Sequence, residues 1–383
     1  MPPATRHVLT LTPFYPTVRD DANGCFIAEP LGALEQLGLK NSVLAAQPIY
    51  RSREQVHPEA PPAEFVRHAS FPGGMGLASA GAFLFARVLG RVRELHDECR
   101  IDLIHAHAPL PCGHAAMLLS RELKIPYVVS VHGLDAYSTN QVGGYSGEWC
   151  RRISQRVFAS ASRVICISEH VRERVLEGGK ATTSVVYNGA DPDKFSPVKN
   201  NPGGQSILCV GNLIPIKGQA VLLRAVAAIA TTHPDVVVHL VGDGSERGNL
   251  AALAQELQIS QRVRFMGRVP RRELARLMRD CTLFVLPSRY EGLGCVYLEA
   301  MSTGKVAIGC RGQGIEEVMR HGTNGWLVEP GNVEQLASSL AMLLVNADLR
   351  RYIGEQARQT ILGRFTLKHQ ANNLLRVYED CWR

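Results

Sequence analysis

Residues 282–300 read TLFVLPSRYEGLGCVYLEA and join a short apolar run to a glycine turn and a second apolar segment. The run 282–287 predicts a buried strand, and the segment after Gly294 predicts a helix. The first backbone N–H groups of such a helix have no partner within it, so they favour an anion such as a phosphate. The stretch therefore predicts a strand, a turn and a helix of an α/β fold, with an anion site at the turn.

The same alternation of short apolar runs and longer helical segments extends over the chain. Continuous Val, Ile and Leu runs separated by helices are typical of parallel sheets that are buried on both faces. The predicted strands cover 7–11, 42–46, 103–106, 127–131 and 163–167 in the first half, and 206–210, 236–241, 262–266, 283–286 and 306–309 in the second.

The pattern restarts after residues 191–204, which are rich in Pro, Asn and Gly and have the composition of a linker. We therefore predict two doubly wound, Rossmann-like domains, 1–200 and 201–365, followed by a last segment, 366–383. Open sheets of this kind bind ligands at the carboxyl ends of their strands. Two of them facing each other would form a cleft.

Composition excludes several classes of protein. The 383 residues carry a net charge of +7, without a basic stripe interleaved with aromatic residues, which argues against nucleic-acid binding. The ten cysteines include no CxxC pair and are expected to be reduced thiols in a cytoplasmic protein. The N-terminus has no signal-peptide pattern, and the run 8–11 is expected to be the first strand.

The segment 80–99 predicts a helix on which Phe83 and Phe85 lie beside Arg87, Arg91 and Arg93. One interpretation is a surface helix that packs on the sheet. The other is a basic amphipathic face in peripheral contact with an anionic membrane. The sequence leaves both open.

Glu291 and Glu299 lie on either side of the glycine turn, with seven residues between them. They are not on one element, which argues against an acid and base pair, and no third ligand clusters nearby, which argues against a metal. Carboxylates repel a phosphate, so neutral hydroxyl groups, such as a ribose diol and a sugar hydroxyl, are their natural partners. Two solvated surface acids are the alternative.

This spacing resembles the EX7E element of glycosyltransferase family 4, retaining enzymes of the GT-B fold, and other segments agree in their order along the chain. The first half is also loosely similar to a teichuronic acid glycosyltransferase branch. The supporting segments are TPFYP (12–16) with Gly24, VHG (131–133), VYNGAD (186–191) with Phe195 and Pro197, ILCVGNL (207–213) with Lys217 and Gly218, GIEEV (314–318) and NGWLV (324–328).

The resemblance implies a role for each matching position. Glu299 would bind the ribose and Glu291 a hydroxyl of the donor sugar, while Lys217 would neutralise the leaving diphosphate. His132 would be catalytic across the cleft, and the C-terminal helix near 367–378 would cross back to the first domain. The remaining donor-binding positions would be Gly24, Gly211, Asn212, Gly242, Arg268, Val269, Gly292, Leu293, Gly294 and Cys295.

Asn212 departs from the family, which usually has Arg there, so one of two phosphate cations is missing. Arg268 and Arg311 are candidates to replace it. On the acceptor side, Asp135 is expected either to contact the acceptor or to orient His132. The pair His105 and His107 has the spacing of a metal site but lacks a third ligand, so packing or acceptor hydrogen bonding by His107 is the better interpretation.

The sequence thus predicts a cytoplasmic, metal-independent, retaining hexosyltransferase without a bound cofactor. Its donor would be a nucleoside diphosphate sugar, and the family resemblance alone favours UDP over GDP. Its acceptor would be a hydroxyl of a glycan or lipid-linked molecule in surface polysaccharide or glycoconjugate synthesis. Front-face attack is the mechanism that the resemblance implies. Two alternatives remain: a nucleotide-sugar epimerase on the same fold, and a catalytically weak nucleotide-sugar-binding protein.

Overall fold

The computed structural model describes residues 6–71, 74, 76–137, 142–198 and 204–382. Its contacts divide the chain into a first domain, Met1–Asn188 with Leu367–Arg383, and a second domain, Gly189–Thr366. The division therefore falls after Asn188, just before the predicted linker 191–204 begins. The predicted boundary at residue 200 lies outside the described residues.

The first domain is built on seven strands that alternate with helices. In chain order its elements are β1 (His7–Thr12), α1 (Cys25–Gln36), β2 (Lys40–Pro48), β3 (Glu64–His68), α2 (Leu77–Glu98), β4 (Leu103–His107), α3 (His114–Leu123), β5 (Tyr127–Val131), α4 (Gly144–Ser160), β6 (Arg163–Cys166), α5 (Glu169–Glu177) and β7 (Thr183–Val185).

All strands of this sheet are parallel, in the order β3-β2-β1-β4-β5-β6-β7. Leu9 of β1 pairs with Ser42 on one side and Ile104 on the other. The strand order reverses between β1 and β4, which is the position where doubly wound sheets bind ligands at their carboxyl edge.

The second domain repeats the plan with six strands. Its elements are β8 (Gln205–Val210), a 3₁₀ turn (Pro215–Lys217), α6 (Gln219–Ile229), β9 (Val236–Val241), α7 (Arg247–Glu256), β10 (Val263–Gly267), α8 (Arg271–Asp280), β11 (Leu283–Val285), α9 (Cys295–Ser302), β12 (Val306–Cys310), a 3₁₀ turn (Gly314–Glu317), β13 (Trp326–Val328), α10 (Val333–Val345) and α11 (Ala347–Arg364).

This sheet is also parallel, in the order β10-β9-β8-β11-β12-β13. Leu283 of β11 pairs with Ile207 of β8 and with Val306 of β12. The order reverses between β8 and β11. The loops that follow these two strands therefore meet at the point where a Rossmann-like sheet holds its ligand.

The last helix, α12 (Leu367–Trp382), belongs to the first domain. Leu374, Val377 and Tyr378 lie on one face at the spacing of a helix, and all three are buried in the core with Leu31 and Leu34 of α1. The helix is held by this apolar face.

Two further features bear on the predictions. All ten cysteines are free thiols, seven of them buried. Among the helices of the described residues, none is long and apolar enough to cross a bilayer.

Candidate active site

In the second domain, the carboxyl ends of β8, β9 and β10 are joined backbone to backbone. The Gly211 N–H donates to the carbonyl of Val241 at 2.9 Å, and the Gly242 N–H donates to that of Gly267 at 2.8 Å. Because Gly211, Gly242 and Gly267 have no side chains, their backbone groups are not covered by side chains of their own. Main-chain groups at the predicted positions Gly211 and Gly242 thus form part of the surface where a ligand would lie.

Lys217 reaches this edge because of the glycine that follows it. Gly218 has φ +72° and lies against the Pro287 carbonyl, where a Cβ atom would overlap the oxygen. The turn therefore brings Lys217 next to the loop after β11. Its Nζ lies 2.5 Å from Glu291 Oε2, and the hydroxyl of Ser288 donates to the same oxygen at 3.4 Å. An ion pair of this length is a charge-assisted hydrogen bond.

The Glu291 loop is held on its other side by the segment after β12. The Glu291 N–H donates to Gln313 Oε1 at 3.0 Å, and the Gly314 N–H donates to the Glu291 carbonyl at 3.0 Å. Gly294, with φ +80°, then starts α9. The predicted order of strand, glycine turn and helix is confirmed, and Gln313 is a supporting residue that the sequence did not indicate.

Glu299 lies inside the domain, on the second turn of α9. It is 3% exposed, and its Oε1 accepts a hydrogen bond from Arg271 Nη1 at 2.6 Å. Arg271 is also buried, and its guanidinium lies 5.0 Å from the centre of the Phe195 ring. The sequence did not indicate Arg271, because nothing distinguishes it from its neighbour Arg272 before the fold is known. The pair fixes the orientation of the carboxylate that was predicted to bind ribose.

In the described part of the chain, the Asn212 side chain makes no hydrogen bond that would take over the role of the missing arginine. It is exposed, its carbonyl accepts from Gln219 Nε2 at 3.0 Å, and its side chain makes no hydrogen bond to any residue in the described part of the chain. Arg311, one candidate cation, is engaged by Glu316 at 3.3 Å and Glu329 at 3.5 Å.

The other candidate cation, Arg268, is exposed directly after β10, followed by Val269. Both residues thus stand at the same carboxyl edge as Gly211 and Gly242. Arg268 is therefore better placed than Arg311 to serve as a second cation of this domain.

In the first domain, His107 at the end of β4 lies beside His132, which follows β5. His107 Nδ1 is 3.1 Å from His132 Nε2, and the two rings are stacked at 15° with centroids 5.3 Å apart. Phe26 of α1 packs on the outer side of His132, with ring centroids 4.8 Å apart. Since one nitrogen must donate and the other accept, His107 and His132 fix each other's tautomer.

His105 lies behind this pair and connects it to the last helix. Its ring contacts the Tyr378 hydroxyl and the Ser130 hydroxyl, both at 2.7 Å. Burial lowers the pKa of His105 to about 3 and of His132 to about 4, and places that of His107 well below its ordinary value. All three imidazoles are therefore neutral near pH 7. The described ranges contain no group of three side chains suited to a metal ion.

Asp135 supports His132 through the main chain. Its two carboxylate oxygens accept the His132 N–H at 2.9 and 3.2 Å. Burial raises the pKa of this carboxyl to about 6, against the opposing effect of the backbone N–H groups that donate to it. Of the two predicted roles of Asp135, orientation of His132 is the one with a contact in the structure.

Gly24 serves the packing of its own domain. It has φ +72°, and an added Cβ would lie 2.5 Å from the carbonyl carbon of Phe14. The loop after β1 therefore passes directly over the start of α1, and only glycine fits there. This packing requires the glycine whether or not a phosphate approaches it.

Comparison with known proteins assigns the chain to a protein family. Residues 191–360 match the family model of glycosyl transferases group 1, and residues 27–194 match that of glycosyltransferase family 4. A D-inositol 3-phosphate glycosyltransferase of Corynebacterium jeikeium is 33% identical over 304 residues, which cover 73% of this chain and 72% of that protein. The chain belongs to glycosyltransferase family 4. An uncharacterized glycosyltransferase of Methanocaldococcus jannaschii is 30% identical over 282 residues, 73% of this chain and 76% of its own.

Solved structures identify the fold of this family 4 glycosyltransferase as GT-B. Sucrose-phosphate synthase from Thermosynechococcus elongatus superposes with a TM-score of 0.80 at 20% identity, over 98% of each chain. HepE from Anabaena, solved with UDP and glucose, gives 0.76 at 22% identity, over 97% of this chain and 99% of its own. The predicted fold class, two doubly wound Rossmann-like domains, is confirmed.

Proposed function

We propose that this glycosyltransferase is a retaining, metal-independent enzyme that transfers a hexose-type sugar from a nucleoside diphosphate donor to a hydroxyl group of its acceptor. The observation that carries the proposal is the ion pair of Lys217 and Glu291 at the carboxyl edge of the second sheet, beside the start of α9. The ammonium group of Lys217 suits a diphosphate, and the carboxylate of Glu291 suits a sugar hydroxyl.

The donor roles follow from charge. Lys217 is the cation for the diphosphate, and the backbone N–H groups of residues 292–295 add the positive end of a helix. Glu291 repels phosphate and accepts a hydrogen bond from a sugar hydroxyl. Glu299, held by Arg271, accepts from the ribose hydroxyls.

The chemistry that fits these groups is front-face transfer. The bond between the anomeric carbon of the sugar and the diphosphate oxygen breaks, and the acceptor oxygen bonds to that carbon on the same face. The acceptor proton passes to an oxygen of the leaving diphosphate. Lys217 stabilises the negative charge that develops there, as a group already in place before the reaction. We assign His132 a catalytic role as a neutral imidazole.

We propose UDP over GDP as the nucleotide, and a glycan or lipid-linked acceptor in surface polysaccharide or glycoconjugate synthesis. Two structurally similar proteins support this choice: HepE was solved with UDP and glucose, and WaaB is a lipopolysaccharide outer core galactosyltransferase. The loose similarity of the first half to a teichuronic acid branch points the same way. Such an acceptor places the enzyme at the cytoplasmic face of a membrane, in peripheral contact with it.

Asn212 favours a second candidate, a nucleotide-sugar-binding protein with weak turnover. An asparagine donates a hydrogen bond but carries no charge, so a phosphate at this position would have one cation fewer than in most of the family. Arg268 is a basic residue exposed at the same edge. The two candidates differ in rate and not in ligand.

Product analysis distinguishes these functions. The enzyme is incubated with UDP-glucose, UDP-galactose and UDP-N-acetylglucosamine, with and without a membrane lipid extract, and products are examined by NMR. We expect acceptor-dependent release of UDP and a product that keeps the α configuration of the donor, with an equatorial anomeric proton. A new nucleotide sugar formed without acceptor would instead identify an epimerase, and an inverted linkage would contradict the retaining assignment.

A further inference from the structure

Exposed aromatic side chains are concentrated on neighbouring parts of the first domain. Phe71 is 65% exposed, Phe83 47%, Tyr145 98% and Trp149 53%. Phe71 precedes α2, Phe83 lies on α2, and the other two lie on α4. Large apolar side chains exposed together, and not singly, mark a surface that contacts something else.

The α4 helix carries the most regular part of this surface. Tyr145, Trp149, Arg152 and Arg156 follow one another at intervals of four, three and four residues, so they form one stripe along the helix. At 1.5 Å per residue the stripe is about 16 Å long. The opposite face packs into the domain through Gly147, Cys150, Ile153, Ser154, Val157 and Phe158.

The stripe continues toward the start of α2. A Cβ atom on Gly74 would overlap the Val142 side chain, and a Cβ on Gly76 would lie 2.7 Å from the Phe71 nitrogen. The chain around Phe71 therefore adjoins the chain that leads into Tyr145. The two helices also contact each other. We call Phe71 and the four stripe residues the aromatic–arginine face.

The charge of this face is positive. The α4 helix contains Glu148 and three arginines, which gives it a net charge of +2. Glu148 forms ion pairs with Arg151 at 2.8 Å and with Arg152 at 2.9 Å. Two positive charges therefore share one negative charge. Arg156 is exposed and forms no ion pair with a residue that the structure describes.

The arginines of α2 are placed differently. Arg91 is bonded to Glu64 at 2.9 Å and to Glu94 at 3.0 Å, and Arg93 to Glu122 at 2.5 Å. These carboxylates pair with two of the three arginines that the sequence placed on this helix, and Arg87 is the exposed third. The structure therefore moves the best lipid-binding candidate from the basic side of α2 to α4.

We infer that the aromatic–arginine face docks on the headgroup region of an anionic lipid bilayer. Aromatic rings with one polar edge are stable at the depth of the headgroups, and arginine side chains extend from there to lipid phosphates. The face is amphipathic and positively charged, which matches an anionic bilayer in both respects. This inference deepens the proposed function and rests on its lipid-linked acceptor for biological meaning.

The test is vesicle sedimentation of the full chain without any sugar nucleotide. Vesicles of phosphatidylcholine are compared with vesicles in which part of it is replaced by phosphatidylglycerol. We expect binding only to the second, weakened by salt because exposed charges are screened. The fluorescence of Trp149, one of three tryptophans in the chain, should shift to the blue on binding.

The variant Trp149→Ala/Arg152→Gln should bind phosphatidylglycerol vesicles about tenfold more weakly or worse. Its matched control is Tyr352→Ala/Arg351→Gln on α11 of the second domain. The exposures correspond closely, at 50% for Tyr352 against 53% for Trp149, and 69% for both Arg351 and Arg152. This control should bind like the wild type.

Three results would overturn the inference: no dependence on phosphatidylglycerol, equal binding by the two double variants, or a dimer in light scattering that Trp149→Ala/Arg152→Gln abolishes while vesicles are not bound. Circular dichroism establishes that both variants fold. The rise in melting temperature caused by UDP-sugars is measured in parallel. It tests the donor site alone, so a wild-type chain that shows this rise but does not bind phosphatidylglycerol vesicles rejects the docking face and leaves the proposed function standing.

Discussion

Lys217 and Glu291 form an ion pair of 2.5 Å although 74 positions separate them in the chain. The Gly218 turn carries the lysine to this contact, and Gln313 and Gly314 hold the glutamate loop. Each partner holds the other in a fixed orientation before any donor is bound. A diphosphate that approaches Lys217 would share its charge with Glu291, so donor binding and the position of Glu291 should be coupled.

Replacement of Lys217 tests the role of this cation in the reaction. We expect Lys217→Ala to lower kcat for transfer by about 10²- to 10³-fold, the range found when a preorganised charge-stabilising group is removed. The measurement is steady-state release of nucleotide. Lys180→Ala, at an exposed position of the first domain, is the control and should be unchanged. A loss of kcat of less than about tenfold would contradict the catalytic role of Lys217.

Replacement of Glu291 distinguishes its contribution to sugar transfer from its contribution to nucleotide binding. Glu291→Gln removes the negative charge next to Lys217, so free UDP should bind at least as tightly as in the wild type. Transfer should nevertheless fall roughly 10- to 100-fold, because a charged hydrogen bond to the sugar is lost. Calorimetry with UDP and the transfer assay give the two values. Weaker binding of UDP itself would mean that Glu291 acts on the nucleotide.

The buried pair of Arg271 and Glu299 makes a prediction about stability and one about affinity. Arg271→Met removes one partner of a buried ion pair, and the free energy of unfolding should fall by about 3–5 kcal/mol in urea denaturation. Glu299→Gln keeps an oxygen for Arg271 but loses the charge for ribose, so UDP-sugar affinity should fall roughly tenfold. Unchanged donor affinity in a folded Glu299→Gln variant would contradict the ribose assignment.

Asp135 should produce an acid limb in the pH profile of transfer. The pKa of its carboxyl is about 6, so the ionised form that holds the His132 N–H is lost as the pH falls through that value. His132 itself, with a pKa of about 4, stays neutral over the same range and adds no limb there. In Asp135→Asn this limb should disappear; an unchanged limb would assign it to another group.

The stability contribution of Asp135 has the opposite sign. Its pKa in the folded protein lies above the ordinary value of 3.8, so protonation favours the folded state. That contribution is complete below pH 3.8 and is lost as the pH rises through about 6. Activity and the stability contributed by this group should therefore change in opposite directions across this window.

The sequence predicted most of the fold because parallel strands buried on both faces are continuous apolar runs. All ten predicted strands are present, and no end differs from its prediction by more than two residues. Three strands were not predicted: Glu64–His68, Thr183–Val185 and Trp326–Val328. Each lies at an edge of its sheet or is only three residues long. Polar residues or the short length therefore prevent these strands from being recognised as continuous apolar runs.

The site was predictable where neighbours in the chain form it, and not where distant segments do. The glycine turn with Glu291 and the start of α9 is local, and the structure has it as predicted. The contacts of Arg271 with Glu299 and of His107 with His132 join residues 28 and 25 positions apart on different elements. Only the sheet order brings these side chains together, so no local pattern could show them.

The central claim is that the second domain binds a nucleoside diphosphate sugar through Lys217, Glu291 and Glu299. Thermal unfolding with UDP-, GDP- and ADP-sugars tests it most directly, since a ligand that binds only the folded state at about 100 times its Kd adds about 2.7 kcal/mol of stability. We predict a rise in melting temperature with UDP-sugars that is reduced in Lys217→Ala and Glu299→Gln. No rise with any of the three nucleotide sugars, or an equal rise in these variants, would contradict it.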